Sequence, residues 1–185
     1  MAADAVDEVG RALDFRVPAS CAGEVPLLGA TGFAAAWNRR RSLATRYGVH
    51  VARVEHLLNR FGTEAETVLA LGEADPSLRQ ALPGAEDYLR AEVVFATAEE
   101  GARHLDDVLA RRTRISIETW DRGVAAAPHV AALMAPLLGW SARQQRREVD
   151  LYTRRVLAER ASQEQPDDAS ADAARLAVPE VTGRG

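Results

Sequence analysis

The chain has 185 residues, 47% of them hydrophobic, which is enough for one folded domain with or without a tail. Its 27 acidic and 23 basic residues give a net charge of -4, so electrostatics do not favour nucleic acid or an anionic membrane as a partner. All the basic residues are arginine. Because lysine is absent, the chain cannot form a Schiff base or provide the phosphate-binding lysine of a P-loop.

Cys21 is the only cysteine, which excludes an intrachain disulfide and a thiolate metal cluster and favours a reducing compartment. No apolar run reaches the roughly 18 residues that a membrane span requires. The N-terminus carries Asp4, Asp7 and Glu8 where a signal peptide would have basic and then apolar residues. We therefore expect a cytoplasmic protein with no signal peptide and no membrane span.

The first part of the chain is predicted to be a linker that contains one short helix. Apolar residues recur at helical intervals at Val6, Val9 and Leu13. This helix should end before Pro18, because prolines and glycines then crowd the sequence up to Gly32. Residues 1–32 are assigned to the linker on this basis.

Two short helices are predicted next, one ending at Gly48 and the other at Gly62. The adjacent Arg39, Arg40 and Arg41 fan around the first of them, which favours a solvated face over the alternative of a phosphate or acidic-partner site. The hairpin superficially resembles a helix-turn-helix unit. The acidic balance and the lack of a basic recognition helix argue against DNA binding.

The middle of the chain contains the clearest core helix. Thr63 and Glu66 have the spacing of a capping box, which predicts a short helix that begins at Thr63 and comes before the core helix. After a loop with two prolines, the apolar pattern that begins at Tyr88 predicts a buried helix running to about Arg103.

The remaining elements are also helical in pattern. Asp106 or Asp107 can cap a short helix, and the only arguable strand is Ile115–Ile117. A helical region from Val124 to Gly139 should be broken or kinked by its two prolines. A last helix should then be capped by a serine and a glutamine, Ser141 and Gln144.

The helical pattern fades near residue 160. Residues 161–185 contain Pro, Asp, Ala and Gly but no aromatic residue, which predicts a disordered tail. Residues 33–160 are predicted to form one compact, all-α bundle of about six to eight short helices.

No catalytic, cofactor-binding or metal-binding residue is assigned from motifs. Gly29 and Gly32 lack both the spacing and the preceding strand of a dinucleotide-binding turn, and a plain turn is the simpler interpretation. The four histidines include no H-E-x-x-H pair, so each is interpreted as an ordinary surface or half-buried residue. Serine hydrolase motifs are also missing.

Three segments carry a resemblance to a known family: EHLLNRFG (Glu55–Gly62), YLRAEVVFA (Tyr88–Ala96) and LDDVLARRTRISIET (Leu105–Thr119). In this order and at these separations they resemble the helical C-terminal domain of the aerobic, FAD-dependent glycerol-3-phosphate dehydrogenases and of the related alpha-glycerophosphate oxidases. The double aspartate followed by Arg111, Arg112 and Thr113 is the most specific element. The similarity runs from the first residue to about residue 160.

The resemblance implies an oxidoreductase of glycerol metabolism. Members of the family oxidise sn-glycerol 3-phosphate to dihydroxyacetone phosphate and pass the electrons through FAD to a quinone or to oxygen. Their flavin-binding and substrate-binding residues lie mainly in an N-terminal region that has no counterpart here. We therefore expect this chain to bind no cofactor and to be inactive alone, FAD belonging to the complete enzyme. A gene fragment, an alternative start or a split gene would each produce such a chain.

The expected partner is thus a flavin-binding domain of the same enzyme type, with no nucleic-acid partner. Beyond this chain, the complete enzyme of the family is a candidate for peripheral attachment to a membrane. The alternative function is a stand-alone helical module that binds another protein.

The matching residues are interpreted first as architecture. Glu92 and Arg112 are predicted to form an ion pair between packed helices, while Asp106 and Asp107 anchor a helix start beside Arg111. Together with Thr113, these residues are the structural or interface candidates. In the functional alternative, Arg111, Arg112 or Arg114 reaches the substrate phosphate or the surface of the flavin domain.

Overall fold

The structure, a computed structural model, describes residues 2–178 apart from residues 14, 16 and 19, and it confirms the all-α class. About 66% of the chain is helical. The α-helices of the described residues are α1 (Ala2–Arg11), α2 (Phe33–Asn38), α3 (Arg40–Tyr47), α4 (Val51–Phe61), α5 (Ala65–Ala74), α6 (Arg90–Ala98), α7 (Ile115–Glu118), α8 (Ala127–Leu138), α9 (Ala142–Gln163) and α10 (Asp168–Leu176). Short 3-10 turns lie at Gly62–Glu64 and Pro76–Arg79, and a π-helical turn spans Asp107–Arg112. Eight of these helices, α2 to α9, belong to the predicted bundle, which agrees with the six to eight expected there; α1 and α10 lie outside it.

Helices α2 to α5 enclose the first of two apolar clusters. The i, i+3, i+4 spacing of Val54, Leu57 and Leu58 places these side chains on one face of α4, where they are completely buried. As predicted, Gly48 and Gly62 end α3 and α4, each with a positive φ that an L side chain rarely adopts. The predicted helical hairpin is therefore present.

The centre of the molecule is α6, which contributes to both apolar clusters. Its Ala91 and Phe95 pack in the first cluster, whereas Val93 and Ala96 pack in the second. A helix that is apolar on more than one side is stable only when it is enclosed by other elements. The position of α6 therefore fixes how the two halves of the body meet.

The predicted start of this core helix was wrong. Tyr88 and Leu89 lie in a strand, β2 (Ala85–Leu89), which pairs antiparallel with β1 (Ala81–Leu82). The helix begins at Arg90 because the Glu92 side chain accepts a hydrogen bond from the Leu89 N–H and caps it there. At its other end, α6 stops at Ala98 rather than near residue 103.

The second cluster is built from α6, the segment around the π-helical turn, α8 and α9. Its largest fully buried members include Tyr88, Leu105, Leu109, Ile115 and Met134. Ile115 and Ile117 belong to helix α7, so the segment in which a strand was arguable is helical, as its shortness favoured.

Proline and cap positions explain the ends of α8 and α9. Pro128 lies in the first turn of α8, where its missing N–H costs nothing, so it begins the helix and does not break it. The helix continues through Pro136 and ends at Gly139. The predicted Ser141 cap is confirmed, since its hydroxyl accepts a hydrogen bond from the Gln144 N–H at 3.2 Å.

Two other predictions are corrected. No side-chain cap is present at the start of α5: Thr63 lies in the 3-10 turn, and Glu66 instead forms an ion pair with Arg39 at 3.0 Å. The predicted disordered tail is wrong for residues 168–176, because they form α10, capped by Asp167, whose carboxylate accepts from the Ser170 N–H at 2.8 Å. The end of that tail, residues 179–185, lies outside the described residues.

The helical body begins where Gly29 crosses Gly62. The Gly29 carbonyl accepts a hydrogen bond from the Thr63 N–H at 2.9 Å. Gly29 also lies directly against the backbone of Phe61 and Gly62, and Gly62 lies against that of Gly29. Neither position leaves room for a Cβ atom. This contact ties the linker to the α4–α5 connection.

Substitution of Gly62 by alanine should therefore destabilise the domain far more than the same change at Gly139. Both glycines have positive φ, but a Cβ at Gly139 would meet nothing within 4 Å. Gly139→Ala should cost about 1 kcal/mol from backbone strain, whereas Gly62→Ala should cost about 3 kcal/mol or more because backbone must also move. Denaturant unfolding of the two variants measures this, and equal losses would contradict the described crossing.

Candidate functional site

Glu92 is the most deeply buried charged group of the described residues, with 1% of its side chain exposed. One carboxylate oxygen caps α6 at the Leu89 N–H, 2.9 Å away. The other lies 3.2 Å from His56 Nε2 and 3.3 Å from Arg60 Nε. A buried carboxylate requires such partners, because an unpaired charge in the interior costs several kcal/mol.

Arg60 connects this carboxylate to the rest of the body. Its guanidinium lies 5.5 Å from the centre of the Tyr88 ring and 5.2 Å from that of Phe61, and it donates a hydrogen bond to the Arg112 carbonyl. The planar guanidinium suits this position because it can stack on rings while its edges donate hydrogen bonds. Arg60 thus joins α4, α6 and the end of the π-helical turn.

The predicted Glu92–Arg112 ion pair is therefore wrong. Arg112 instead directs its guanidinium to the Glu100 carbonyl, with Nη2–O and Nε–O distances of 2.9 and 3.1 Å. Glu92 is already paired by Arg60, which is 32 residues earlier in the sequence. Burial raises the pKa of the Glu100 carboxyl, an effect that the nearby Arg112 partly opposes.

Tyr88 extends the network to α7. Its hydroxyl donates to Glu118 at 2.6 Å and accepts from the Arg114 N–H at 3.1 Å, while its ring packs edge-on against His56. Burial and the hydrogen bond to Glu118 raise the pKa of Tyr88 to about 12, so the hydroxyl remains protonated and able to donate. Tyr88 thereby fixes the start of the α7 turn against the core.

The three sequence segments that carry the family resemblance meet in this network. His56 and Arg60 come from the first segment, Tyr88 and Glu92 from the second, and the Arg112 carbonyl from the third. Sequence reasoning missed His56, Arg60 and Tyr88 as site residues. The signal that was available was their presence within the most similar segments.

The double aspartate forms a second cluster, around the π-helical turn. Asp107 accepts from the N–H groups of Arg103 and His104 at 2.9 and 3.0 Å, so it binds the backbone that precedes it, whereas neither aspartate caps the π-helical turn through its side chain. Asp106 is buried and pairs with Arg111 and with Arg155, the latter at 3.4 Å. A π-helical turn is uncommon, and such turns are frequent at functional sites.

Thr113 and Arg111 complete this cluster. The Thr113 hydroxyl is buried and donates to the Val108 carbonyl at 2.6 Å, which satisfies a backbone group at the end of the turn. Arg111 is half exposed and also lies 3.1 Å from Asp107. Each of the six candidate residues thus has an internal partner, which agrees with a structural role.

Beside this cluster, a groove of about 1070 Å³ lies between α9 and the segment around α7. Four arginines and four acidic residues line it, so its walls are balanced in charge: Asp106, Arg111, Glu118, Arg122, Arg155, Glu159, Arg160 and Glu164. Ile117 and Trp120 lie on its edge with 72% and 97% of their surfaces exposed. The groove lacks the excess positive charge that a phosphate site requires.

A flavin dinucleotide does not fit the described residues. Its pyrophosphate is held by a glycine-rich turn between a strand and the N-terminus of a helix. In the described part of the chain, α6 is the helix that directly follows a strand, and its N-terminus is already capped by the Glu92 carboxylate. The same described residues contain no group of three or more His, Cys, Asp or Glu side chains able to hold a metal ion.

Comparison with known proteins agrees with this architecture. The family model of the C-terminal domain of alpha-glycerophosphate oxidase matches residues 20–145. Glycerol-3-phosphate dehydrogenase 2 of Mycobacterium tuberculosis is 48% identical over 181 residues, which are 98% of this chain and 31% of that protein. Glycerol-3-phosphate dehydrogenase of Mycobacterium leprae is 47% identical with the same coverage. A probable mitochondrial glycerol-3-phosphate dehydrogenase of Dictyostelium discoideum is 34% identical over 95 residues, 51% of this chain and 15% of that protein.

The chain therefore belongs to the family of C-terminal domains typified by that of alpha-glycerophosphate oxidase, as its three segments predicted. It spans just under a third of the length of the mycobacterial relatives that it matches. No solved structure matches it significantly. Within the described residues, no helix has both the length and the apolar character needed to cross a bilayer.

Replacement of Asp107 by alanine should reveal a pH-dependent contribution to stability. Burial opposes ionisation of Asp107, but hydrogen bonds from Arg103 and His104 and the charge of Arg111 outweigh it, so its pKa lies below the ordinary 3.8. The ionised form therefore stabilises the fold above that value, and this contribution is lost as the pH falls through the lowered pKa.

We expect Asp107→Ala to lower the free energy of unfolding by about 1–2 kcal/mol near neutral pH, and the gap from wild type to close in acid. Denaturant titrations from neutral pH to below 3.8 measure both. Asp150→Ala is the control, since Asp150 is 54% exposed in its pair with Arg154 and should cost about 1 kcal/mol or less. A gap for Asp107→Ala that stays constant in acid would contradict the account.

Proposed function

We propose that the chain acts as the C-terminal helical domain of an FAD-dependent glycerol-3-phosphate dehydrogenase. In this proposal, a flavin-binding domain of the same enzyme type binds FAD and sn-glycerol 3-phosphate and produces dihydroxyacetone phosphate, with a quinone as electron acceptor. The observation that carries the proposal is the match over 98% of the chain to mycobacterial proteins named glycerol-3-phosphate dehydrogenase.

The chain's own contribution in this proposal is a rigid body and not a reacting group. The carboxylates of Glu92 and Asp106 are buried and paired with guanidinium groups. Groups held in this way are enclosed by the protein and already engaged with internal partners, so they do not face a substrate. The paired charges support instead the shape of the turn that ends at Arg114 and the position of α7.

Arg114 is the best placed of the three arginines considered for contact with substrate or flavin domain. Arg112 is engaged with the Glu100 carbonyl, and Arg111 with the two aspartates. The Arg114 side chain is 67% exposed, and its ion pair with Glu118 at 3.4 Å lies at the surface. Such a surface pair is weak, so Arg114 can leave Glu118 and bind another anion at a small cost in free energy.

The alternative of a stand-alone interaction module rests on exposed Trp120, a residue type that is frequent at binding hot spots. It predicts a chain that functions without any flavin-binding domain. In the main proposal the chain is located in the cytoplasm.

The proposal is tested with the purified 185-residue chain and with a fusion protein. In the fusion, this chain replaces the 181 matching residues of the Mycobacterium tuberculosis relative. Visible flavin absorption and reduction of a dye by sn-glycerol 3-phosphate are measured for both, with the truncated relative, lacking those residues, as the matched control.

We expect no bound flavin and no turnover from the chain alone, and bound flavin with turnover from the fusion. Turnover by the chain alone would place the chemistry inside it and overturn the proposal. A fusion without flavin or activity, under conditions in which the intact relative has both, would also overturn it.

A further inference from the structure

Helix α1 is strongly amphipathic. Its Val6 and Val9 side chains lie within a narrow arc of the helix, and Leu13, two residues after the helix ends, continues the same spacing to complete an apolar stripe. The opposite side is charged, with Asp4, Asp7, Glu8 and Arg11. A stripe of this kind indicates a helix that is stabilised by packing against an apolar surface.

The apolar stripe of α1 is not buried by the described part of the chain. Val6, Val9 and Leu13 are 60%, 62% and 43% exposed. The comparable stripe on α4 is completely buried, at Val54 and Leu57. A short helix with an uncovered stripe is only marginally stable in water, so a surface outside the described residues is needed to hold it.

Helix α1 lies outside the residues that the family model matches but largely within those that match the mycobacterial relatives. The family model starts at residue 20, after α1 ends. The match to the Mycobacterium tuberculosis relative covers 181 of the 185 residues, which leaves at most four unmatched and so includes most of α1. Helix α1 is therefore shared with the dehydrogenases without belonging to their C-terminal domain model.

The described apolar residues just before the body are also exposed. The body begins at Gly29, which is fixed to the α4–α5 connection. Before it, Val25, Leu27 and Leu28 are 62%, 82% and 89% exposed. The apolar side chains that are left uncovered thus continue from α1 to the point at which the body begins.

We propose that α1 is an element of the flavin-binding domain, against which its Val6–Val9–Leu13 stripe packs, and that the segment from Val25 to Leu28 lies at the junction of the two domains. This inference rests on the proposed function. It also assigns residues 2–13 to a different unit from the one predicted as a linker.

Other occupants of the stripe fit less well. The opposite face of α1 has three acidic residues and one arginine, a net charge of -2, which would repel an anionic lipid surface. Pairing with α1 of a second copy would bury few side chains, well short of the roughly 1,200 Å² of a stable interface.

The test compares amide hydrogen exchange of α1 in the 185-residue chain and in the fusion protein described above. Amides of α1 should exchange rapidly in the isolated chain. In the fusion they should exchange at least about 100-fold more slowly, because packing on the flavin-binding domain suppresses local unfolding of the helix. Amides of α4 should be protected equally in both proteins and serve as the internal control. Unchanged exchange of α1 in a fusion that binds flavin would overturn the inference while leaving the proposed function intact.

A pair of variants separates the stripe from the helix itself. Val6→Asp with Val9→Asp charges the apolar face, and Asp7→Asn with Glu8→Gln is the control on the opposite face. The first variant should lower the temperature at which the fusion releases flavin while leaving the unfolding of the isolated chain unchanged; the control should do neither.

Equal behaviour of the two variants in the fusion would overturn the inference. Protection of α1 in the isolated chain that rises with concentration would also overturn it, since that would identify a second copy as the occupant. A fusion that never binds flavin, under conditions in which the intact relative does, tells against the proposed function instead.

Discussion

The buried carboxylate of Glu92 is the constraint on which the rest of the fold depends. Taking a charge out of water is tolerable only when it is compensated inside the protein, and Glu92 is compensated by the Leu89 N–H, by His56 Nε2 and by the charge of Arg60, whose Nε lies 3.3 Å away. These partners belong to strand β2 and to α4, and Glu92 itself lies in the first turn of α6. Satisfying one carboxylate therefore fixes the relative positions of the elements that separate the two apolar clusters.

The same arrangement connects the three segments that carry the family resemblance. Arg60 transmits the constraint to the carbonyl at the end of the π-helical turn, and Tyr88 transmits it to α7. The exposed surface that results is a rigid turn carrying Arg114, Ile117 and Trp120. A domain of this kind can shape and shield a neighbouring site without supplying a reacting group.

Helical periodicity and terminal signals were sufficient to predict the all-α class and the ends at Gly48, Gly62 and Gly139. They failed where tertiary contacts decide. Tyr88 continues the helical pattern of α6, but the Glu92 cap makes the helix begin only after it, at Arg90, a choice that depends on burial. Arg60 was not predicted as the partner of Glu92 because it is 32 residues away in the sequence and no local pattern connects the two; Arg112, in one of the matching segments, was predicted instead. Helix α10 was missed because an Ala- and Asp-rich composition also suits a disordered chain, and Asp167 capping decided between them.

The central claim is that Arg60 and Glu92 act as one unit, and a double-mutant cycle tests it most directly. Arg60→Met, Glu92→Met and the double variant are compared by denaturant unfolding. Removing either partner alone should cost about 3–5 kcal/mol because the other charged group is left buried without its guanidinium or carboxylate counterpart. The double variant should lose at least about 2 kcal/mol less than the sum of the single losses. Losses that add to within about 0.5 kcal/mol would show that the two side chains are not coupled, and would contradict the account.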